Sequence, residues 1–344
     1  MARQDTFPDI TASPLGCTWE RYVDQLTREH GGWTALTNLL IRRAGPSVGL
    51  PIDPGTIERG LRRLRVRGNA SGGQYGRWLL RYFGVPRPLE DTARWMGQYH
   101  SRFSDLPLSL RAAQLWLWDR PPIAESPAAC WIHLGLASLA LRQGDLDDTR
   151  RRLTQARAAA SPSSQVATVS PSPQIATGSS SVQIATAWIE AALLEARLES
   201  DAGHPARAAE VLTETGGWIA ELPAGPERDC YHARCADQRA YQLLHGDPAP
   251  RPAQAARLYR SINASSPAAF ARFRRDHGLA YCHWRLGDHE RAVRHARAAI
   301  EQAGDAGLLR FRVMALELLA HIEPREARTL RRRAANIVAE LVDS

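Results

Sequence analysis

SPAAFARFRRDHGLAYCHWRLGDHERAVRHARAAIEQAG, residues 266–304, decides the fold. It reads as a pair of helices. Ser266-Pro267 sets a capping residue before a proline suited to the first helical position. The helix expected after it carries Leu279, Ala280, His283 and Trp284 on one face. Gly287-Asp288 breaks it. A second helix then turns Ala292, Ala296 and Ala299 toward the first, and small side chains at that spacing let two antiparallel helices approach closely.

Working outward, the same alternation recurs. Residues 131–142 and 146–160 form one pair, with Ala137, Gly144, Leu153 and Ala156 at the small, turn and packing positions. Residues 185–202 and 205–222 form the next, with Ala196, Gly203, Ala208 and Leu212 in the matching places. Residues 227–245 and 252–262 follow, their turn lengthened by Pro248 and Pro250. Residues 307–322 and 325–342 close the series, with Ala315 and Ala327 at close contacts and Pro324 at the turn. Arg331, Arg332 and Arg333 fall mostly on the solvent face of that last helix, as the end of an array requires.

Five such pairs in tandem, residues 127–344, predict an all-α protein with an α-solenoid as its larger part. The pattern resembles the tetratricopeptide repeat, a helical hairpin of about 34 residues. The matching positions in the decisive stretch are Leu279-Ala280, Gly287, Ala292, Ala296 and Ala299. The usual tryptophan and glycine of the first helix are missing, and His283 stands where a tyrosine is common. The resemblance implies a concave surface, lined by the first helix of each pair, that binds an extended or helical peptide. Projected onto that surface are Arg274, His277, Tyr281 and Arg285, joined by Arg312 from the last pair. Arginines beside tyrosine and histidine suit an acidic peptide or a C-terminal carboxylate. The lysine-and-asparagine clamp of some relatives is not reproduced.

Residues 161–181 are a gap between the first two pairs, and a nine-residue unit repeats from residue 161 to 187 as SPSSQVATV, SPSPQIATG, SSSVQIATA, the last merging into the next helix. Serine and proline leave little to bury, so a disordered insertion is expected there.

Upstream, residues 1–17 read as a flexible N-terminus and 18–126 as a separate helical domain. Helices are expected at 18–30, 33–44, 55–66, 77–83, 89–103 and 106–118, with a stop at Asp119-Arg120-Pro121-Pro122. Between residues 54 and 87 arginines outnumber the single acid, Glu58. Arg59, Arg62, Arg63, Arg65, Arg67 and Arg77 form a cluster able to meet a phosphate backbone. Three short helices before the glycine-rich, hairpin-like stretch 68–76 allow a winged helix-turn-helix in which residues 56–65 enter the major groove of DNA. The 45–52 loop is longer than the usual turn of that motif. An ordinary solvated basic face is the competing reading. With the DNA-binding domain, the whole chain resembles regulators that join such a domain to a tetratricopeptide sensor for small peptides.

Composition narrows the field. The 344 residues carry a formal charge of +8, yet lysine is absent and arginine supplies all 44 basic residues. Arginine for lysine, with abundant alanine, proline and glycine, is what a GC-rich coding sequence yields, so charge alone does not point to nucleic acid. Without lysine there is no P-loop, no kinase lysine and no Schiff-base site for a pyridoxal cofactor. The five scattered cysteines, Cys17, Cys130, Cys230, Cys235 and Cys282, suit reduced thiols in a cytoplasmic protein. No signal-peptide core or membrane span is visible. Cys230, His232 and Cys235 lack metal-ligand spacing, and the histidines at 277, 283, 289 and 295 are scattered around two helices by their period of six. No catalytic motif is present, and no cofactor or metal is expected. Asp145, Asp147 and Asp148 read as capping a helix. The expected function is peptide or protein recognition by an adaptor or regulator. A DNA-binding regulator is the alternative, and an unrecognised enzyme the third.

Overall fold

The structure is a computed structural model that describes residues 17–45, 53–161, 179–246 and 249–343. Among these residues it is all-α, with no strand. The first four helices are α1 (Trp19–Glu29), α2 (Trp33–Ala44), α3 (Pro54–Arg65) and α4 (Gly73–Phe83). Two more, α5 (Arg87–Gly97) and α6 (Leu108–Trp118), flank a 3-10 turn at Arg102–Asp105. The five hairpins then follow as α7 (Ala129–Gln143) with α8 (Leu146–Ala160), α9 (Ser179–Asp201) with α10 (Pro205–Glu221), and α11 (Pro226–His245) with α12 (Pro252–Arg260). They end with α13 (Ala269–Arg285) and α14 (His289–Asp305), then α15 (Leu309–Ile322) and α16 (Ala327–Asp343). From α6 onward each helix packs on its neighbour in sequence, and the first helices also pack on one another in the order α7, α9, α11, α13, α15. The expected α-solenoid is therefore present.

The decisive hairpin forms for the expected reasons. Ala280, Ala292, Ala296 and Ala299 are fully buried between α13 and α14. Gly287 takes φ +77°, and the Asp288 carboxylate accepts a hydrogen bond from the Arg291 amide at 3.2 Å. The Asp288 amide donates to the His283 carbonyl at 2.9 Å. The same closure, from an amide to the carbonyl five residues back, joins Asp145 to Ala140 and His204 to Glu199. It satisfies carbonyls that a helix end leaves unpaired. Asp145 caps α8 through the Asp148 amide at 2.9 Å, as expected. Arg331, Arg332 and Arg333 are exposed on α16, while Leu330 and Ala334 face the core.

Several expectations are corrected. α13 starts at Ala269, because the Ser266 hydroxyl accepts from the Ala268 amide and holds Pro267 outside the helix. Trp284 is 36% exposed and packs on Tyr281 at the hairpin surface, away from the α14 contact. The helix expected over 89–103 ends at Gly97, and the chain then runs across the solenoid. Cys17, assigned to the flexible N-terminus, is buried. Residues 1–16 and 162–178, the bulk of that N-terminus and of the expected insertion, lie outside the described residues, as does 46–52 within the loop between α2 and α3. α9 begins at Ser179, so the last repeat unit does merge into a helix.

The glycine-rich stretch is no wing. Its second half is the start of α4, and Gly72 and Gly76 make room for an aromatic ring. A Cβ on Gly72 or Gly76 would stand 2.1 and 2.7 Å from the Trp19 ring, and one on Gly60 of α3 would stand 2.0 Å from Tyr75. Trp19 is fully buried and its indole donates to the Ala70 carbonyl at 2.8 Å. An aromatic ring inserted against glycine buries large apolar area while its polar edge keeps a partner.

Candidate functional site

The first helices of the hairpins form one wall of a groove, and the chain's own residues 98–106 cross it. Tyr99 is the centre of that crossing. Its ring lies under the guanidinium groups of Arg234 (4.7 Å) and Arg310 (4.7 Å), with Arg274 at 5.8 Å. Arg274 also donates to the Tyr99 hydroxyl at 2.9 Å and pairs with Asp237 at 3.1 Å. Arg234 pairs with the fully buried Glu190 at 2.5 Å. Burial opposes ionisation of Tyr99, but the guanidinium groups of Arg274, Arg310 and Arg234 outweigh it and hold the phenol below its ordinary value. His100 packs between Tyr231 and Phe270, and Asp105 accepts from the Arg310 amide at 3.0 Å.

Two cavities lie beside this crossing and share Tyr99, Arg197, Asp237, Gln238, Arg274 and Met314 in their walls. The first, of about 320 Å³, is walled by Arg197, Tyr241, His245, His277 and Tyr281. Its rings form a row: Tyr241 to His245 at 4.3 Å and His245 to Tyr281 at 6.4 Å. The guanidinium of Arg197 sits 5.2 Å from the Tyr241 ring. Burial, then the Arg274 charge, pushes His277 down to about 4, so its imidazole is neutral at pH 7. The second cavity, of about 430 Å³, is walled by Arg142, Arg197, Arg234, Arg274 and Arg310, with Asp201 and Asp237 as its acids among the described residues.

Of the expected groove residues, Arg274, His277 and Tyr281 line the first cavity together. Arg285 sits at its rim and donates to the Tyr281 hydroxyl at 3.0 Å. Arg274 is 5% exposed, so it serves as much to hold Tyr99 as to face the cavity. Arg312 is a correction: its side chain lies against Gly304 and lines a separate cavity that α14 and α16 also wall. Its helix turns Arg310 to the groove instead. Glu190, Arg234, Arg274 and Arg310, missed as a set, stand at matching levels of α9, α11, α13 and α15, spaced by 44, 40 and 36 residues. Their spacing is no fixed period; what they share is a place eleven or twelve residues before the end of their helix, which sequence alone marks only once the helix ends are known. Tyr99 had no such signal, because it enters from outside the array.

The six N-terminal arginines are placed differently from one another. Arg59 lies 3.5 Å from Asp53, Arg62 donates twice to Glu58 and stacks 4.5 Å over Trp33, and Arg65 pairs with Asp24 at 2.7 Å. Arg67 donates to the Ser71 carbonyl. Arg63 and Arg77 are exposed with no carboxylate partner among the described residues.

All five cysteines are free and buried. Burial pushes the thiols of Cys17, Cys130, Cys230 and Cys282 up to about 12, which leaves them protonated and unreactive at neutral pH. His283 and His295, expected to be scattered, are stacked with ring centroids 5.6 Å apart, and His295 bonds Asp276 at 2.9 Å. The helix pair brings them together because α13 and α14 are antiparallel. Among the described residues no group of three metal-ligating side chains converges, and no helix is long and apolar enough to cross a membrane.

Compared with known proteins, the chain matches no family model, no curated protein and no solved structure. The groove therefore stands on its own geometry.

Proposed function

We propose that this chain is a peptide-recognition protein, an adaptor or regulator, whose ligand lies along the groove over the two cavities. The observation that carries the reading is the wall of the first cavity. A row of three rings, a guanidinium stacked on the outermost, and a second arginine beneath them offer both apolar surface and fixed charge to an extended chain. Aromatic and arginine side chains are the usual anchors of interfaces. The tetratricopeptide resemblance supports the same use of the inner surface. The excess of arginine over acid favours ligands rich in aspartate or glutamate, or ending in a carboxylate. The six N-terminal arginines do not carry a second, DNA-binding reading of their own, since four of them are already hydrogen-bonded or ion-paired within the domain.

The test uses a panel of immobilised acidic peptides and sequence-scrambled counterparts in near-physiological salt. The full chain is expected to retain a subset. Arg197→Glu with Tyr241→Ala, both toward the open side of the groove, is expected to weaken that retention about tenfold or more, roughly 1.4 kcal/mol. Equal retention of scrambled peptides, or a double variant that binds like the parent, rejects the reading.

A further inference from the structure

The second cavity holds more positive charge than its carboxylates balance. Three of its five arginines are matched: Arg197 with Asp201 at 2.9 Å, Arg234 with Glu190, and Arg274 with Asp237. Arg142 and Arg310 have no carboxylate within ion-pair distance among the described residues, and neither does Arg111 of α6. Arg111 is 3% exposed and lies 5.6 Å from the Phe103 ring, with Nε and Nη1 lacking a hydrogen-bond partner among the described residues. Arg310 likewise keeps Nε and Nη2 buried and unpartnered, its guanidinium carbon 4.7 Å from the Tyr99 ring centre and 4.5 Å from that of Phe311. Arg274 keeps its Nε unpartnered as well.

Buried donors of this kind are normally satisfied, and a buried guanidinium without an anion is costly. The three unmatched cations are also close enough to act on one another. Burial first, then the charges of Arg310 and Arg142, pulls Arg111 down to about 9. Burial, with Arg274 and Arg142 as its repelling neighbours, lowers Arg310, and the Asp105 carboxylate offsets part of the excess at both Arg310 and Arg111. A single carboxylate would neutralise one of three charges. A tetrahedral dianion offers two charges and acceptors in several directions, which suits forked donors from α7, α13 and α15 with the charge of Arg111 on α6 behind them.

We propose that Arg142, Arg274 and Arg310, backed by Arg111, form a binding site for a phosphoryl dianion at the second cavity. The proposal deepens the groove reading by naming a group that its ligand carries. The same chemistry has two sources, a phosphorylated side chain of a bound peptide or a small phosphorylated molecule. No bond is made or broken; recognition is by charge and hydrogen bonding alone.

The experiment is thermal melting of the full chain at about pH 8, where phosphate is dianionic. Inorganic phosphate is titrated to roughly 20 mM against chloride at constant ionic strength, so that a rise in melting temperature reports binding to the folded state. A saturable rise is expected with phosphate and absent with acetate. Arg310→Met is expected to abolish the rise while melting no lower than the parent in chloride, because it removes an unmatched buried charge. Arg142→Met, at the exposed edge, is expected to weaken phosphate binding about tenfold without loss of fold. A phosphoserine peptide and its serine counterpart then assign the source. Much tighter binding of the phosphopeptide than of free phosphate points to a modified chain, and equal binding points to a small molecule; both uphold the site. No phosphate-dependent shift, or a shift unchanged by Arg310→Met, overturns it. Phosphate binding that persists while acidic peptides fail to bind would sink the groove reading and leave the anion site standing.

Discussion

Gly97 concentrates the packing problem of this molecule into one missing methyl. It ends α5 where that helix meets the first turn of α7, and a Cβ there would stand 2.4 Å from the Trp131 carbonyl oxygen and 2.9 Å from the adjoining backbone carbon. Backbone cannot swing aside as a side chain can. Gly97→Ala is therefore expected to destabilise the fold by about 1–3 kcal/mol. Gly217, inside α10 with nothing within 4 Å of its would-be Cβ, provides the contrast. There alanine is expected to stabilise by about 0.5–1 kcal/mol through helix propensity. Urea denaturation of both variants checks the pair. If Gly97→Ala unfolds at the parent's midpoint, the close approach of α5 to α7 is wrong.

At the scale of the element, α15 is completed by a residue from far upstream. The residue at its N-terminal boundary, Leu308, has no side chain able to cap, and the Arg310 amide donates instead to Asp105, 205 positions earlier. The 3-10 turn thus acts as the helix cap and ties the groove-crossing segment to the last hairpin. Removal of a capping carboxylate costs about 0.5–2 kcal/mol. Asp105→Ala is expected to lower stability by that amount and to speed hydrogen exchange in the first turn of α15, with α7 and α8 unchanged. Uniform acceleration across all helices would mean that the cap does not act locally. The contrast with Asp288 is instructive. That cap lies next to its helix and is legible in sequence, whereas Asp105 is invisible as a cap until the chain is folded.

Over the whole molecule, buried histidines set an acid limit. His100 faces the Tyr231 and Phe270 rings, with Arg234 and Arg94 as its nearest charges, and burial followed by those two cations holds it at about 3. His277, about 4, stacks on Phe273 beside Arg274, with Asp237 opposing. Both folded-state values lie below the ordinary 6.5. The unfolded chain therefore takes up protons that the folded chain refuses, and stability falls as pH drops below about 6.5 toward 4. Each histidine contributes at most about 1.4 kcal/mol per pH unit in that window. His100→Phe is expected to flatten the slope between pH 6.5 and 4.5, since Nδ1 of His100 has no hydrogen-bond partner to lose. Urea midpoints across that range measure it, and a variant whose curve parallels the parent's rejects the assignment.

The sequence by itself determined the elements and their order. Helical periodicity, small residues at close contacts and Gly-Asp turns are local instructions, so Gly144-Asp145 and Gly287-Asp288 fold as they read. It also carried Arg274, His277 and Tyr281 to one face, because a single helix fixes their relative directions. Only the tertiary structure decided what fills the groove. Tyr99 reaches Arg234, Arg274 and Arg310 from a distant segment, the choice of Arg310 over Arg312 depends on how α15 is rotated against α13 and α14, and the ion pairs of Arg65 depend on α1 lying beside α3. Charge balance is a sum over neighbours in space, and no periodicity along the chain encodes it.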